Sequence, residues 1–348
     1  LFGMLHVRIL CIDVLATGSR PLALPGNPFA GALIDSTQAL ELNTLPSSAV
    51  IIGAGAVALE FASLWNAAGC EVTLLIRKDR VLSTWERRAS MTLTRELKRR
   101  GVNVIARTAV DRVDTGANLG ATVHYRQGDS DEDRTAYGEV VLAAIGRVPN
   151  TDADWFRSSG LKLDERGYVT VDGYGRTNLD GVWALGDITP GHALAHRAFE
   201  QGITIAEKIA GADPKPVLDD TVPQVVFSFP EAASVGLTLD QAKAREDVVE
   251  PKETAYPMLS NARMLMSGEG GSMTVVSGAF ANNPDMQVVL GVHIVSPIAS
   301  DLIAEAEQLV GNRVPLADAA RLIHPHPTFS ETLGEALLKA DGRPLHTR

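Results

Sequence analysis

Ala49-Val50-Ile51-Ile52-Gly53-Ala54-Gly55-Ala56-Val57-Ala58 decides the fold. A short apolar run ends on a glycine pair, and apolar residues at helical spacing follow over 56–68. The run predicts a strand buried on both faces, as in parallel sheets. Gly69 stops the helix, and Glu71-Val72-Thr73-Leu74-Leu75-Ile76 reads as a second strand. This makes a strand–helix–strand unit of about thirty residues whose first turn fits G-x-G-x-x-G/A. Gly53 permits the tight turn, Gly55 lets backbone approach a pyrophosphate, and small Ala58 allows close helix–strand packing. The phosphates then sit at a helix N-terminus, where free N–H groups and the dipole favour negative charge. The alternative, a glycine-rich turn with no ligand, fits the complete unit less well than a dinucleotide site does.

The end of the second strand selects the dinucleotide. NAD sites place a carboxylate there, on the adenosine ribose 2′-hydroxyl. This sequence has Ile76, then Arg77 and Lys78. Isoleucine offers a hydroxyl nothing, whereas Arg77 can pair bidentately with a 2′-phosphate. NADP(H) is favoured over the plainer reading of Arg77-Lys78-Asp79-Arg80 as a charged surface loop.

Outward from this unit, strands are expected over 8–15, 102–105, 121–125, 140–145, 168–171 and 182–185. A short polar helix is expected near 37–42, and longer ones over 87–100 and 194–210. Residues 146–154 are turn-rich and 211–220 carry two prolines, so both read as boundaries. Beyond them, strands over 222–229, 271–276 and 288–295 predict an antiparallel sheet, with helices over 299–310 and 316–321.

The composition sets limits. The 348 residues are 45% hydrophobic and 21% charged, with net charge −10, which argues against disorder and against general nucleic-acid binding. No apolar run approaches the ~18–20 residues of a membrane helix. Cys11 and Cys70 lie far apart, so neither a disulfide framework nor a metal site is indicated. Both read as structural thiols, and a cytoplasmic setting is expected.

Four further motifs occur in order: Ala16-Thr17-Gly18-Ser19-Arg20-Pro21, Ala144-Ile145-Gly146-Arg147-Val148-Pro149-Asn150, Thr177-Asn178-Leu179-Asp180-Gly181-Val182-Trp183-Ala184-Leu185-Gly186-Asp187, and His326-Pro327-Thr328-Phe329-Ser330-Glu331. Together with the glycine turn they resemble the flavin-dependent pyridine-nucleotide disulfide oxidoreductases, the family of dihydrolipoamide dehydrogenase and glutathione reductase. The resemblance spans essentially the whole chain. It implies an α/β fold with four segments: a first part of an FAD-binding domain (1–46), a Rossmann-like NAD(P)-binding domain (47–147), the second part of the FAD-binding domain (148–217), and an α+β C-terminal dimerisation domain (218–348).

The resemblance also implies roles. Asp187 holds the FAD ribityl chain, and the helix start Ala193-Leu194-Ala195-His196 faces the flavin, where a helix N-terminus stabilises negative charge. His196 by itself reads as a packing or surface residue. Thr17, Gly18, Ser19, Gly146 and Arg147 are further cofactor contacts. Glu60 and Val110 join Gly53, Ala54, Gly55, Ala56, Val57, Ala58, Arg77 and Lys78 at the nicotinamide dinucleotide. His326 is the general acid/base, oriented by Glu331 and supplied across a homodimer interface; His324 does not match the spacing. A histidine suits that work because its pKa of ~6.5 lies near operating pH.

The family's own N-terminal G-x-G-x-x-G and its C-x-x-x-x-C redox pair are not in this sequence. The resemblance therefore implies a fragment preceded by about one hundred residues, a domain's worth, and inactive by itself. The activity implied for the whole is NAD(P)H:disulfide oxidoreduction through FAD on a small or lipoyl disulfide, dihydrolipoamide first, with a 2-oxo acid dehydrogenase complex as a further partner. Rival readings are an NADPH-dependent glutathione- or mycothiol-type disulfide reductase, a quinone reductase, and a non-catalytic nucleotide-binding dimerisation module.

Overall fold

The computed structural model describes residues 12–116 and 120–347. Each of its two compact units is built from two separated stretches. One comprises the residues up to Arg20 with Arg147–Val222; the other comprises Pro21–Gly146 with Pro223–Arg348.

The larger unit holds two five-stranded sheets. The first is parallel, in the order Leu33–Ile34, Val140–Ala143, Ser48–Ile52, Glu71–Ile76, Asn103–Ala106. Val50, Ile51 and Leu74 are fully buried, as a sheet covered on both faces requires. The Ala56–Ala67 helix connects Ser48–Ile52 to Glu71–Ile76, as the sequence predicts. Arg87–Arg99 is the next helix; the Glu86 carboxylate caps it by accepting from the Arg88 and Ala89 N–H groups at 2.6 and 2.7 Å.

Against the parallel sheet lies a three-stranded antiparallel ribbon of Thr108–Thr115, Ala121–Gln127 and Arg134–Gly138. Sequence reading anticipates only the middle strand. The outer two face solvent, so Asp111, Arg112 and Asp114 interrupt any apolar run. The acidic stretch 129–133 is the connection between the last two strands.

The second five-stranded sheet is antiparallel, ordered Gln224–Val226, Glu231–Gly236, Asn283–Ser296, Ser272–Phe280, Val248–Pro257. Glu231–Gly236 and Val248–Pro257 escape the sequence reading, the first because of its small residues, the second because a proline and charges break it up. Ala299–Gly311 and Leu316–Ala319 are helical as expected, and Glu331–Ala340 forms a last, unanticipated helix. The two sheets share a core: Ile51, Leu74 and Leu93 lie in one apolar cluster with Val226, Ala232 and Val295.

In the smaller unit Asp13–Leu15 pairs in parallel with Val182–Ala184. The rest of the expected 8–15 strand, apart from Ile12, and with it Cys11, lies outside the described residues. Ala195–Ile209 is the main helix. Two expectations are corrected. Residues 168–171 form no strand, only one bridge from Leu163 to Val169, because the Asp164 carboxylate takes the Arg166 and Tyr168 N–H groups into a local turn. The segment 1–46 also divides near Arg20: Leu33–Ile34, nearly devoid of exposed surface, is an edge strand of the parallel sheet.

Candidate active site

In the larger unit the glycine turn has the geometry its sequence demands. Gly53 sits at φ +141°, and a Cβ there would fall 2.2 Å from the Ala144 carbonyl oxygen. Its N–H donates to the Leu75 carbonyl at 3.1 Å, while Ala54 accepts from the Leu82 N–H at 2.9 Å. Ala58 is fully buried beside Gly53. Gly55 is the N-cap, makes no side-chain cap, and has open space where a Cβ would lie. The first N–H groups of the helix, at Ala56 and Val57, are therefore left for an anion. The open space at Gly55 fits the close approach of a dinucleotide pyrophosphate.

Ile76 is fully buried, whereas Arg77 and Lys78 are exposed at the strand end. The Lys78 carbonyl accepts from the Arg107 N–H at 3.0 Å, which sets a third exposed cation beside them. Val110 packs against the apolar cluster containing Val50, Ile52 and Leu75. The structure thus gives Val110 a packing contact with that core. Gly146 at φ +144° accepts from the Leu22 N–H at 3.0 Å.

In the smaller unit the structure brings together motifs far apart in sequence. Thr17 Oγ1 donates to the Asn150 carbonyl at 2.8 Å, Asn150 Nδ2 donates to the Thr17 carbonyl at 2.9 Å, and the Asn150 N–H reaches the Gly18 carbonyl at 2.9 Å. Arg147 Nε donates to Ser19 Oγ at 2.6 Å, and Ser19 Oγ donates to Asp187 Oδ2 at 2.5 Å. Gly186, left-handed at φ +71°, donates its N–H to Gln201 Oε1 at 2.8 Å and so turns Asp187 out of the strand. Buried Arg197 ties the following loop down: its Nε donates to Asp219 at 2.6 Å and its Nη2 to the Pro190 carbonyl at 2.5 Å. The Ala195–Ile209 helix starts at Leu194 with no side-chain cap, and Ala193, Ala195 and His196 are exposed there. An oriented carboxylate and an uncapped helix start suit the polar chain and the anionic ring of a flavin dinucleotide. Asn150, Gln201 and Arg197 were not singled out in the sequence. Asn150 lies inside a quoted motif, but nothing in the local pattern marks the other two.

The C-terminal motif lies in the larger unit. His326 Nδ1 is 2.8 Å from Glu331 Oε1, and the Thr328 N–H donates to Glu331 Oε2 at 2.8 Å. The imidazole is 69% exposed and the carboxylate 19%. Burial pushes the Glu331 carboxyl up, but the Thr328 N–H and the His326 ring outweigh it and hold the group below its ordinary value. A carboxylate only accepts, so Nδ1 carries the donated proton and Nε2 is the ring's free lone pair. His324 is only partly exposed instead, bonded to Glu305 Oε1 at 2.9 Å, a bond that raises its pKa. Gly334 makes room for that ring, since a Cβ would fall 2.5 Å from His324 Nδ1. Glu60, half-buried on the Ala56–Ala67 helix, accepts from the Phe227 N–H at 3.0 Å.

Comparison with known proteins agrees with this arrangement. Residues 13–202 match the family model of the pyridine nucleotide-disulphide oxidoreductases, and residues 222–337 match the dimerisation domain of the same family. The chain belongs to that family, so it is an FAD- and nicotinamide-dependent oxidoreductase of α/β fold acting on disulfides. The dihydrolipoyl dehydrogenase of Cupriavidus necator is 36% identical over 336 residues, covering 96% of this chain and 69% of its own. That of Geobacillus stearothermophilus is 37% identical over 339 residues, with the same shares covered. Among solved structures, LpdA from Mycobacterium tuberculosis superposes with a TM-score of 0.83 at 29% identity, covering 94% of this chain and 69% of that one. No helix among the described residues is long and apolar enough to cross a membrane.

Proposed function

We propose that this chain carries the coenzyme-binding and acid/base parts of a dihydrolipoyl dehydrogenase-like enzyme, exchanging a hydride equivalent between a lipoyl-type dithiol and a nicotinamide dinucleotide. The observation that carries it is the exposed His326 imidazole held at 2.8 Å by a carboxylate. FAD, when bound, supplies the two-electron carrier between the coenzyme and the disulfide. The chain's own residues do the rest. Asp187, fixed by Ser19, accepts hydroxyl donors of the flavin's polar chain, and the helix start at 193–196 favours the anionic ring. Gly53, Gly55 and the N–H groups of Ala56 and Val57 hold the coenzyme pyrophosphate. His326 Nε2 takes the thiol proton, while Glu331 keeps the ring in one tautomer and stabilises the imidazolium.

The dimerisation domain supports a homodimer in which His326 serves the partner's site. Attachment of that dimer to a 2-oxo acid dehydrogenase complex in the cytoplasm is part of the same proposal. Arg77 and Lys78 favour a second coenzyme reading, NADPH and a glutathione-like disulfide. The deciding measurement compares dihydrolipoamide with NAD⁺ against glutathione- and mycothiol-type disulfides and quinones with NADPH, in FAD-loaded protein that contains the redox cysteine pair. Turnover confined to quinones, or none with any acceptor, overturns the proposal.

A further inference from the structure

Asn261 is a buried polar residue, 5% exposed, that no motif marks. Its backbone N–H donates to the Met258 carbonyl at 3.0 Å, which anchors it to the end of the Val248–Pro257 strand. Its side chain bonds in two directions. Oδ1 accepts from the Met264 N–H at 3.0 Å and caps the Ala262–Ser267 helix; Nδ2 donates to the Thr328 carbonyl at 3.1 Å.

Thr328 is the residue whose N–H holds Glu331. Its peptide groups are thus gripped at both poles, the N–H by Glu331 Oε2 and the carbonyl by Asn261 Nδ2. Its hydroxyl also donates to the Pro325 carbonyl at 2.7 Å, and Arg263 lies over the Phe329 ring at 5.5 Å. One carboxylate spans the loop: Oε2 on Thr328 and Oε1 on His326. Any shift of Thr328 rotates that carboxylate and lengthens its bond to the imidazole.

We infer that Asn261 is a positioning residue for the His326–Glu331 pair, acting through Thr328 to fix the carboxylate that orients the ring. The inference rests on the acid/base reading of His326 for its purpose, but the geometry it asserts is measurable without turnover. The Asn261 side chain spans a helix cap and a loop carbonyl at once, so its truncation has separable effects. Asn261→Ser keeps an oxygen acceptor of the kind helix caps use and removes the donor that reaches Thr328.

The test follows the His326 Nδ1 proton by NMR in ring-¹⁵N-histidine-labelled protein, with its rate of exchange with water as the readout. Leu290→Ala, a cavity in the separate apolar cluster of Leu237, Val248 and Val288, sets the level of general loosening. The expected result is exchange about tenfold faster in Asn261→Ser, the effect of losing one hydrogen bond, with Leu290→Ala close to the parent. Unchanged exchange in Asn261→Ser, or equal acceleration in both variants, overturns the inference. Failure of His326→Gln to lower disulfide turnover would instead overturn the acid/base reading and leave the positioning result standing, so the two are told apart.

Discussion

Ser19 Oγ lies 2.5 Å from Asp187 Oδ2 although 168 residues separate the two in sequence. The same hydroxyl accepts from Arg147, so three motifs meet on one oxygen. Ser19→Ala removes both bonds and leaves a carboxylate and a guanidinium without their shared partner. The expected loss is about 1–3 kcal/mol, measured by urea denaturation of parent and variant. Ser19→Thr, which restores the hydroxyl, should recover most of it.

The coenzyme preference rests on Arg77, which is exposed at the end of a strand whose last residue, Ile76, is fully buried. NADPH is expected to bind tighter than NADH by roughly tenfold or more, since an Arg–phosphate pair contributes ~1.5–3 kcal/mol. Calorimetric titration of both coenzymes checks this, and Arg77→Glu should abolish or invert the preference. Equal affinities in the parent would assign Arg77 and Lys78 to a solvated surface.

His326→Gln should lower disulfide-dependent turnover by roughly 10²–10⁴, the range for a positioned acid/base. Glu331→Gln should lower it less, because the shape is kept and the charge is lost. The pH dependence of the pair follows from the lowered Glu331 pKa. A carboxyl depressed in the folded protein contributes stability above its unfolded value and loses it as pH falls through the folded value. The His326–Glu331 contact should therefore persist through neutral pH and weaken only on the acid side, below the usual glutamate range of ~4.3. Stability curves of Glu331→Gln and parent should converge there.

Cys70 is buried, and desolvation, with Glu139 and Glu71 adding to it, pushes its thiol up to about 11. In a Cys11→Ser background, alkylation at neutral pH should run roughly a hundredfold or more below that of a free cysteine of pKa ~8.5. It should rise to the free rate on denaturation. Rapid labelling of the native protein would contradict the structural role given to this thiol.

The parallel sheet was legible because its strands are largely buried on both faces, so that Ala49-Val50-Ile51-Ile52 and Leu74-Leu75-Ile76 stand out as apolar runs. The ribbon strands Thr108–Thr115 and Arg134–Gly138 were not, since one face is wet and the charges there mask the alternation. The same divide holds for the candidate site. Gly53, Asp187, His326 and Glu331 belong to local motifs whose spacing carries their chemistry. Asn261, Arg197 and Gln201 act on residues distant in sequence, and an isolated polar residue inside a helix or turn gives no sign of what it will touch.

The interleaving of the smaller unit also sets a timetable for the chain as it leaves the ribosome. Ser19 cannot meet Asp187 until 168 further residues have been made, a wait of roughly 8–34 s at ~5–20 residues per second. In that interval all five strands of the parallel sheet, from Leu33–Ile34 to Val140–Ala143, have already emerged. The nascent protein therefore finishes the parallel sheet while the edge of Asp13–Leu15 still lacks its partner strand. Whatever guards that edge during synthesis, a chaperone or simple speed, is needed only until Val182–Ala184 arrives to pair with it.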